Sequence, residues 1–492
     1  MAGQQIENIR AAAVDGRTRN VIYRRSQLGK LQAALSQEAE TMISAIAQDT
    51  GCTMLESRVE YYLTMLQVKD RYLELDPAGE LVMEYSIAEG RDASESREGV
   101  GIVLISAVVD HSPFFSVVAP LSAAIAAGNC VILQVENTVR SLPNALRKAL
   151  RVLDNDTFGI IQQPLADADK SAISLEVVQS SQVTSNSRTD QIVSGQNRRT
   201  VAVVDRTADM EKAAEALLFA RFGYCGQSPY APDIVLVNEF IKEDFLQTLV
   251  KKYSHLDQDP MPGYQKSEKS GSKDTKLEKS IADLQRNGNV KLVNQAARGA
   301  ILDIKNRGSQ TFLKKIRAPC MVVHGFKSLD DAIDVLNSDG QENLAAYHWG
   351  SAGQCRYLSQ FISARVTFVN HIPADLLVGP AFPDNAMIDA SVRFPTSLFS
   401  KPTPAFVTQS TRATVVADAL MAPSTSERRL LLERLRDEAM KELPDYKRKQ
   451  KSRAAFGFFE QAMLINLGLV LLSTVTVVSG GVYGFKHGWL RR

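Results

Sequence analysis

The stretch GVGIVLISAVVDHSPFFSVVAPLSAAIAAGNCVILQV, Gly99 to Val135, decides the fold class. It opens with a nearly continuous apolar run of strand length, GVGIVLISAVV. A small-residue segment of helical character follows, PLSAAIAAGNC, and then a second apolar strand, VILQV. Apolar strands without polar alternation are those whose two faces are both covered, as in a parallel sheet wrapped by helices. The alternation recurs downstream. TVAVVD (Thr200–Asp205) is followed by the helical ADMEKAAEALLFARFG, DIVLV by EFIKEDFLQTLVKKY, and APCMVVHGF by LDDAIDVLN. The class is therefore α/β. Upstream, from Arg17 to about Tyr72, apolar residues at three- and four-residue spacings predict helix, with a stop at Gly51.

The 492 residues suffice for two or three domains with real cores. With 45% hydrophobic and 23% charged residues, wholesale disorder is excluded, and a net charge of +2 gives no global reason to bind nucleic acid. The polar, lysine-rich Tyr264–Ser280 reads as a solvated loop. Five cysteines (Cys52, Cys130, Cys225, Cys320, Cys355) stand singly, without spacing for zinc or a disulfide framework. His255, His324, His348 and His371 form no ligand-spaced pair, so no metal site is expected. The first twenty residues carry no apolar secretory core.

The end of the chain has a different composition. Ala462 to Phe485, AMLINLGLVLLSTVTVVSGGVYGF, holds no charge. As a helix it would span about 36 Å at ~1.5 Å per residue, enough for a hydrocarbon core of roughly 30 Å with tilt. The basic cluster YKRKQKSR lies just before it. Such a flank places the main domain in the cytosol and makes the tail a single-pass C-terminal anchor. The endoplasmic reticulum is the expected membrane, with the mitochondrial outer membrane and the peroxisome as alternatives.

Four segments between Pro120 and Asn370 carry a family resemblance that extends from about Arg17 to about Pro404. PLSAAIAAGNCVILQ (Pro120–Gln134) resembles the segment P-L-x-x-A-I-A-A-G-N-x-V-x-L-K of aldehyde dehydrogenases. GQSPYAPDIVLV resembles their nucleophile segment G-Q-x-C-x-A-P-D-x-x-L, VTFVN (Val366–Asn370) their G-x-x-x-N-D strand, and SLDDAIDVLN their S-x-D-E-A-I helix. The chain is most similar to the short class that includes membrane-anchored fatty aldehyde dehydrogenase. The resemblance implies a Rossmann-like NAD(P)-type domain over 1–205, with a bridging hairpin near 79–99. It further implies a catalytic-type domain over 206–395, a bridging and oligomerisation segment over 396–418, a basic helical linker over 419–461, and the anchor over 462–485.

In active members a cysteine thiolate attacks the aldehyde, backbone and Asn donors hold the oxyanion, hydride passes to nicotinamide, and a Glu activates water. Mapped onto this chain, the nucleophile position is Pro229, which has neither thiol nor N–H. The oxyanion Asn falls on His111 and the general base near Ser194. The adenosine-ribose Lys falls on Gln134, and the nicotinamide-ribose segment E-I-F on Lys315 to Arg317. No glycine occurs between Gly159 and Gly195, where the phosphate turn would lie. Cys225 is the thiol nearest the nucleophile position and the one candidate for residual catalysis. Glu136 and Asn137 are the candidates for a retained nucleotide contact.

The expected function is that of a membrane-anchored aldehyde dehydrogenase-like protein without dehydrogenase activity. It would serve as a binding, scaffold or regulatory subunit in aldehyde, lipid-type or biosynthetic metabolism. A homodimer or a heterodimer with a paralogue is expected, with a hydrophobic small molecule as a further ligand and no nucleic acid. No cofactor is expected, with NAD or NADP if activity remains. The alternative is an active NAD(P)-dependent oxidoreductase that converts a hydrophobic aldehyde to a carboxylic acid.

Overall fold

The computed structural model describes residues 2–106, 111–135, 140–163, 165, 167–179, 190–195, 197–258, 282, 290–296, 298–305, 314–384, 386, 388–389, 392–443 and 458–486. They form two compact units, 1–408 and 409–492. The proposed contacts Glu136 and Asn137, the loop Tyr264–Ser280 and the basic cluster before the tail lie outside the described residues.

The larger unit is built on two parallel sheets, as the apolar runs predict. A short strand β1 (Arg97–Gly99) precedes the first of them. That first sheet contains β2 (Ile102–Ser106), β3 (Cys130–Gln134), β4 (Phe158–Ile161), β5 (Leu175–Val178) and β6 (Gln191–Val193). Their order is β4-β3-β2-β5-β6, and every pairing is parallel. The direction of winding reverses between β2 and β5, the kind of crevice where open α/β sheets bind ligands beyond the strand C-termini.

The second sheet contains β7 (Thr200–Val204), β8 (Ile234–Asn238), β9 (Val290–Ala296), β10 (Gly299–Ile304), β11 (Cys320–Phe326), β12 (Ala345–Trp349) and β13 (Thr367–Val369). The order is β13-β12-β7-β8-β11-β10-β9. Only β9 runs antiparallel, pairing with β10 at the edge. Strand β14 (Ser400–Pro402) pairs antiparallel with β1 as a separate two-stranded ribbon. The central strands β7 and β8 are fully buried, which accounts for their unbroken apolar sequence.

Two helices position the candidate site. Pro113–Ala126 is buried along its whole length, behind β2. Its N-cap residue, Ser112, is left-handed and makes no side-chain cap. The orphan N–H groups are met instead from another element: Glu60 Oε1 accepts from Phe114 N at 2.9 Å and Phe115 N at 3.2 Å. Pro120 sits inside this helix and cannot donate to the carbonyl of Ser116. Gln179 Nε2, just past β5, donates to that carbonyl at 2.8 Å. The helix Met54–Glu74, which carries Glu60, begins with a capping box between Thr53 and Glu56.

The helical stretch upstream is not one helix. It divides into Val21–Gln37 and Ala39–Thr50 at Glu38, whose backbone leaves the helical region. The second of these ends at left-handed Gly51, as expected. At the other end of the chain, Phe458–Lys486 is one helix, and Gln461–Ser479 has a mean hydropathy of 2.1, sufficient in length and composition to cross a membrane. The expectation of a C-terminal transmembrane helix therefore rests on a continuous element.

Candidate functional site

The segment from Phe222 to Asp233 runs from the end of the helix Met210–Phe222 to the start of β8, at the N-terminal edge of the second sheet. It turns through three successive left-handed residues, Tyr224 (φ 50), Cys225 (φ 55) and Gly226 (φ 66). Left-handed geometry at two non-glycine residues costs of order 1–3 kcal/mol each and persists only where the surroundings enforce it. At Gly226 a Cβ would come within 2.7 Å of the Ala318 backbone, so glycine is required on space as well as on φ.

What enforces the turn is visible on both sides. Glu56, besides closing its capping box, accepts from Tyr224 N at 2.8 Å. Cys225 Sγ donates to the Gly51 carbonyl at 3.6 Å. From the opposite side the segment Lys315–Ala318 grips the turn. Gln227 Nε2 donates to Arg317 O at 3.0 Å, and Arg221 donates to the carbonyls of Ile316 and Ala318.

Pro229 is buried, and its carbonyl accepts from Lys315 Nζ at 2.6 Å and from Thr200 Oγ1 at 2.9 Å. Beneath it lies Asp233. One carboxylate oxygen accepts from Thr200 N and Lys315 Nζ, both at 2.8 Å; the other accepts from Ile316 N at 2.9 Å and faces Arg221 at 3.6 Å. Arg221, Asp233 and Lys315 are all buried, and desolvation lowers the pKa of Lys315 and of Arg221 against the raising influence of Asp233. A buried carboxylate with two cations and two backbone donors is the arrangement in which buried ions are tolerated. Sequence reading placed Lys315 at a ribose-binding position; the structure places its ammonium under the Pro229 loop.

Tyr230 closes the other side. Its hydroxyl accepts from Phe382 N at 3.0 Å, and its carbonyl accepts from Tyr347 Oη at 2.9 Å. The Arg393 guanidinium stacks over the Phe382 ring at 4.2 Å and the Tyr230 ring at 5.2 Å. Arg393 also donates to the carbonyls of Leu376, Val378 and Pro380. Asp233, Arg221, Arg393 and Glu60 were not singled out from sequence, because nothing local marks a charged residue as buried.

The other expected site residues lie around this loop. His111 follows β2, stands ring-edge to Tyr224 at 6.0 Å, and is buried. Its Nε2 contacts the Leu377 carbonyl at 3.0 Å and therefore carries the proton. Burial pushes its pKa down to about 4, so the ring is neutral near pH 7. Ser194 follows β6, is fully buried, and donates its N–H to Val178 O at 2.9 Å. Among the described residues its hydroxyl has no hydrogen-bond partner. A neutral serine hydroxyl cannot act as a base near pH 7. Burial raises the Glu60 carboxyl to about 7, although it accepts two backbone bonds.

The sheets, their order and this loop together define an α/β scaffold of two wound, largely parallel sheets. The chain belongs to the aldehyde dehydrogenase family, whose model matches residues 2–377. It is 23% identical over 369 residues to mouse (Mus musculus) aldehyde dehydrogenase family 3 member A2, covering 70% of this chain and 74% of that protein. Against the 4,4'-diaponeurosporen-aldehyde dehydrogenase of Staphylococcus aureus the identity is 24% over 358 residues, covering 65% and 74%. In fold it is similar to the substrate-bound state of Staphylococcus aureus AldH, with a TM-score of 0.68 at 18% identity over 88% of this chain and 99% of that one. It is also similar to the glyceraldehyde-3-phosphate dehydrogenase GapN of Methanocaldococcus jannaschii, solved with NADP, with a TM-score of 0.60 at 17% identity over 82% and 93%.

Proposed function

We propose that this family member is a membrane-anchored protein without dehydrogenase activity that acts by binding. It would be a scaffold or regulatory subunit, homodimeric or paired with an active paralogue, with a hydrophobic aldehyde or lipid-like molecule as its ligand. The observation that carries the reading is Pro229 at the nucleophile position, buried with its carbonyl held by Lys315 and Thr200. Proline supplies neither a thiol nor a backbone donor for an oxyanion. Supporting it, the His111 proton is directed to a backbone carbonyl and Ser194 offers no base.

The described residues fit a nicotinamide dinucleotide poorly. At the switch point, Gln179 Nε2 is engaged by the carbonyl that Pro120 leaves unmatched, and Gln134 brings no charge to a ribose. Lys315 is engaged under the Pro229 loop. The C-terminal helix is the anchor, in the endoplasmic reticulum membrane with the large unit in the cytosol.

The alternative, an active NAD(P)-dependent oxidoreductase, would use Cys225, which is half-buried and four positions before Pro229, or a non-covalent route. Cofactor titration tests the reading. Equilibrium dialysis and thermal shift of the full-length protein with NAD and NADP should show no saturable binding. Saturable binding of either nucleotide would overturn the loss of the cofactor site.

A further inference from the structure

The turn that presents Cys225 also sets it against a second cysteine from a distant part of the chain. Cys52 follows the left-handed Gly51 that ends the helix Ala39–Thr50 and precedes Thr53, the cap of the next helix. Its N–H donates to Thr50 Oγ1 at 3.2 Å, which fixes the Gly51–Cys52 corner. Cys225 Sγ reaches the carbonyl of Gly51, the residue before Cys52, at 3.6 Å, and the two thiols lie close enough to act on each other electrostatically. Glu56 ties the same two segments together through Tyr224 N, one residue away at 2.8 Å. The neighbourhood is thus held from both segments, and neither cysteine is in a disulfide.

We infer that Cys52 and Cys225 form a thiol pair that a peroxide closes into a disulfide, stapling the helical corner at Gly51 to the Pro229 loop. This assignment is independent of whether the protein oxidises aldehydes. Both thiols are half-buried, in contrast to the buried Cys130, Cys320 and Cys355. Contact with Cys225 and burial push the Cys52 thiol well above its ordinary value.

The chemistry balances in two steps. Cys225 sulfur attacks the peroxide, the O–O bond breaks, an S–O bond forms, and one water leaves with the Cys225 proton. Cys52 sulfur then attacks that sulfenic sulfur. An S–S bond forms, the S–O bond breaks, and the hydroxyl leaves as a second water with the Cys52 proton. Cys225 is thereby withdrawn from any role as a nucleophile. The closed loop of roughly 170 residues restricts the unfolded chain strongly, so oxidation raises resistance to unfolding.

The test treats the full-length protein in detergent with hydrogen peroxide, alkylates remaining thiols, and maps peptides by mass spectrometry without reduction. The expected result is one cross-linked peptide joining Cys52 to Cys225, reversed by dithiothreitol and absent from C52S and C225S. The unfolding temperature should rise with peroxide in the wild type only. Cys225 over-oxidised with Cys52 still alkylated, a cross-link to another cysteine, or two unmodified thiols would each overturn the inference. The wild-type map decides the matter even if a serine variant folds poorly.

Discussion

Replacing Asp233 by asparagine keeps the shape of the residue but removes its charge from beneath the Pro229 loop. Two buried cations then face no anion, Lys315 Nζ at 2.8 Å and Arg221 at 3.6 Å. Breaking a buried pair by removing one partner costs about 3–5 kcal/mol, and two stranded cations put this site at the upper end. Lys315→Met is milder, because Asp233 keeps Arg221 and its backbone donors while the Pro229 carbonyl keeps Thr200. Loss of charged hydrogen bonds there costs roughly 1.5–3 kcal/mol. The double variant should lose less than the sum, since Lys315→Met removes one of the cations that Asp233→Asn strands. Urea unfolding followed by emission of buried Trp349, in a Trp489→Phe background, reads all three. A cost below about 1 kcal/mol for Asp233→Asn, or strict additivity, would refute the view that this network fixes the loop.

Glu60 provides a pH test. Burial raises its folded pKa to about 7 from an ordinary 4.5, so between these values the folded state holds a proton that the unfolded state has lost. Stability therefore falls as pH rises through that window, by up to about 1.4 kcal/mol per unit, and Glu60→Gln should remove the slope in urea titrations. His111 and His348 act in the opposite sense. Burial lowers both to about 4 from 6.5, so stability is lost as pH falls from about 6.5 towards 4, and His111→Gln should reduce that loss in the same titration. Deleting residues 462–492 should move the protein from the membrane pellet to the soluble fraction on carbonate extraction. Pro229→Cys alone should leave NAD(P)H formation at background in a spectrophotometric assay, because Ser194 and His111 are unchanged.

Continuous apolar runs made β2, β3, β7, β8 and β11 legible, since strands buried on both faces have no other way to be written. β12 was less so: AAYHW carries a histidine that is fully buried in the sheet. The break at Glu38 was hidden because glutamate is a good helix former and nothing around it is glycine or proline. At the candidate site, the oddity of Pro229 was visible in the chain, and its clamp was not. Arg221, Asp233 and Lys315 meet across about ninety positions, and local patterns do not see contacts at that range. Cysteines that stand singly in sequence hid the Cys52–Cys225 contact for the same reason. Gln179 could have been suspected, because Pro120 within a helix always leaves one carbonyl to be matched.

The most direct measurement is the initial rate of NADH and NADPH formation by the full-length protein in detergent, with a long-chain aldehyde and a heat-denatured control. The account predicts rates equal to the control with both nucleotides. A rate above control that disappears in Cys225→Ala would contradict it.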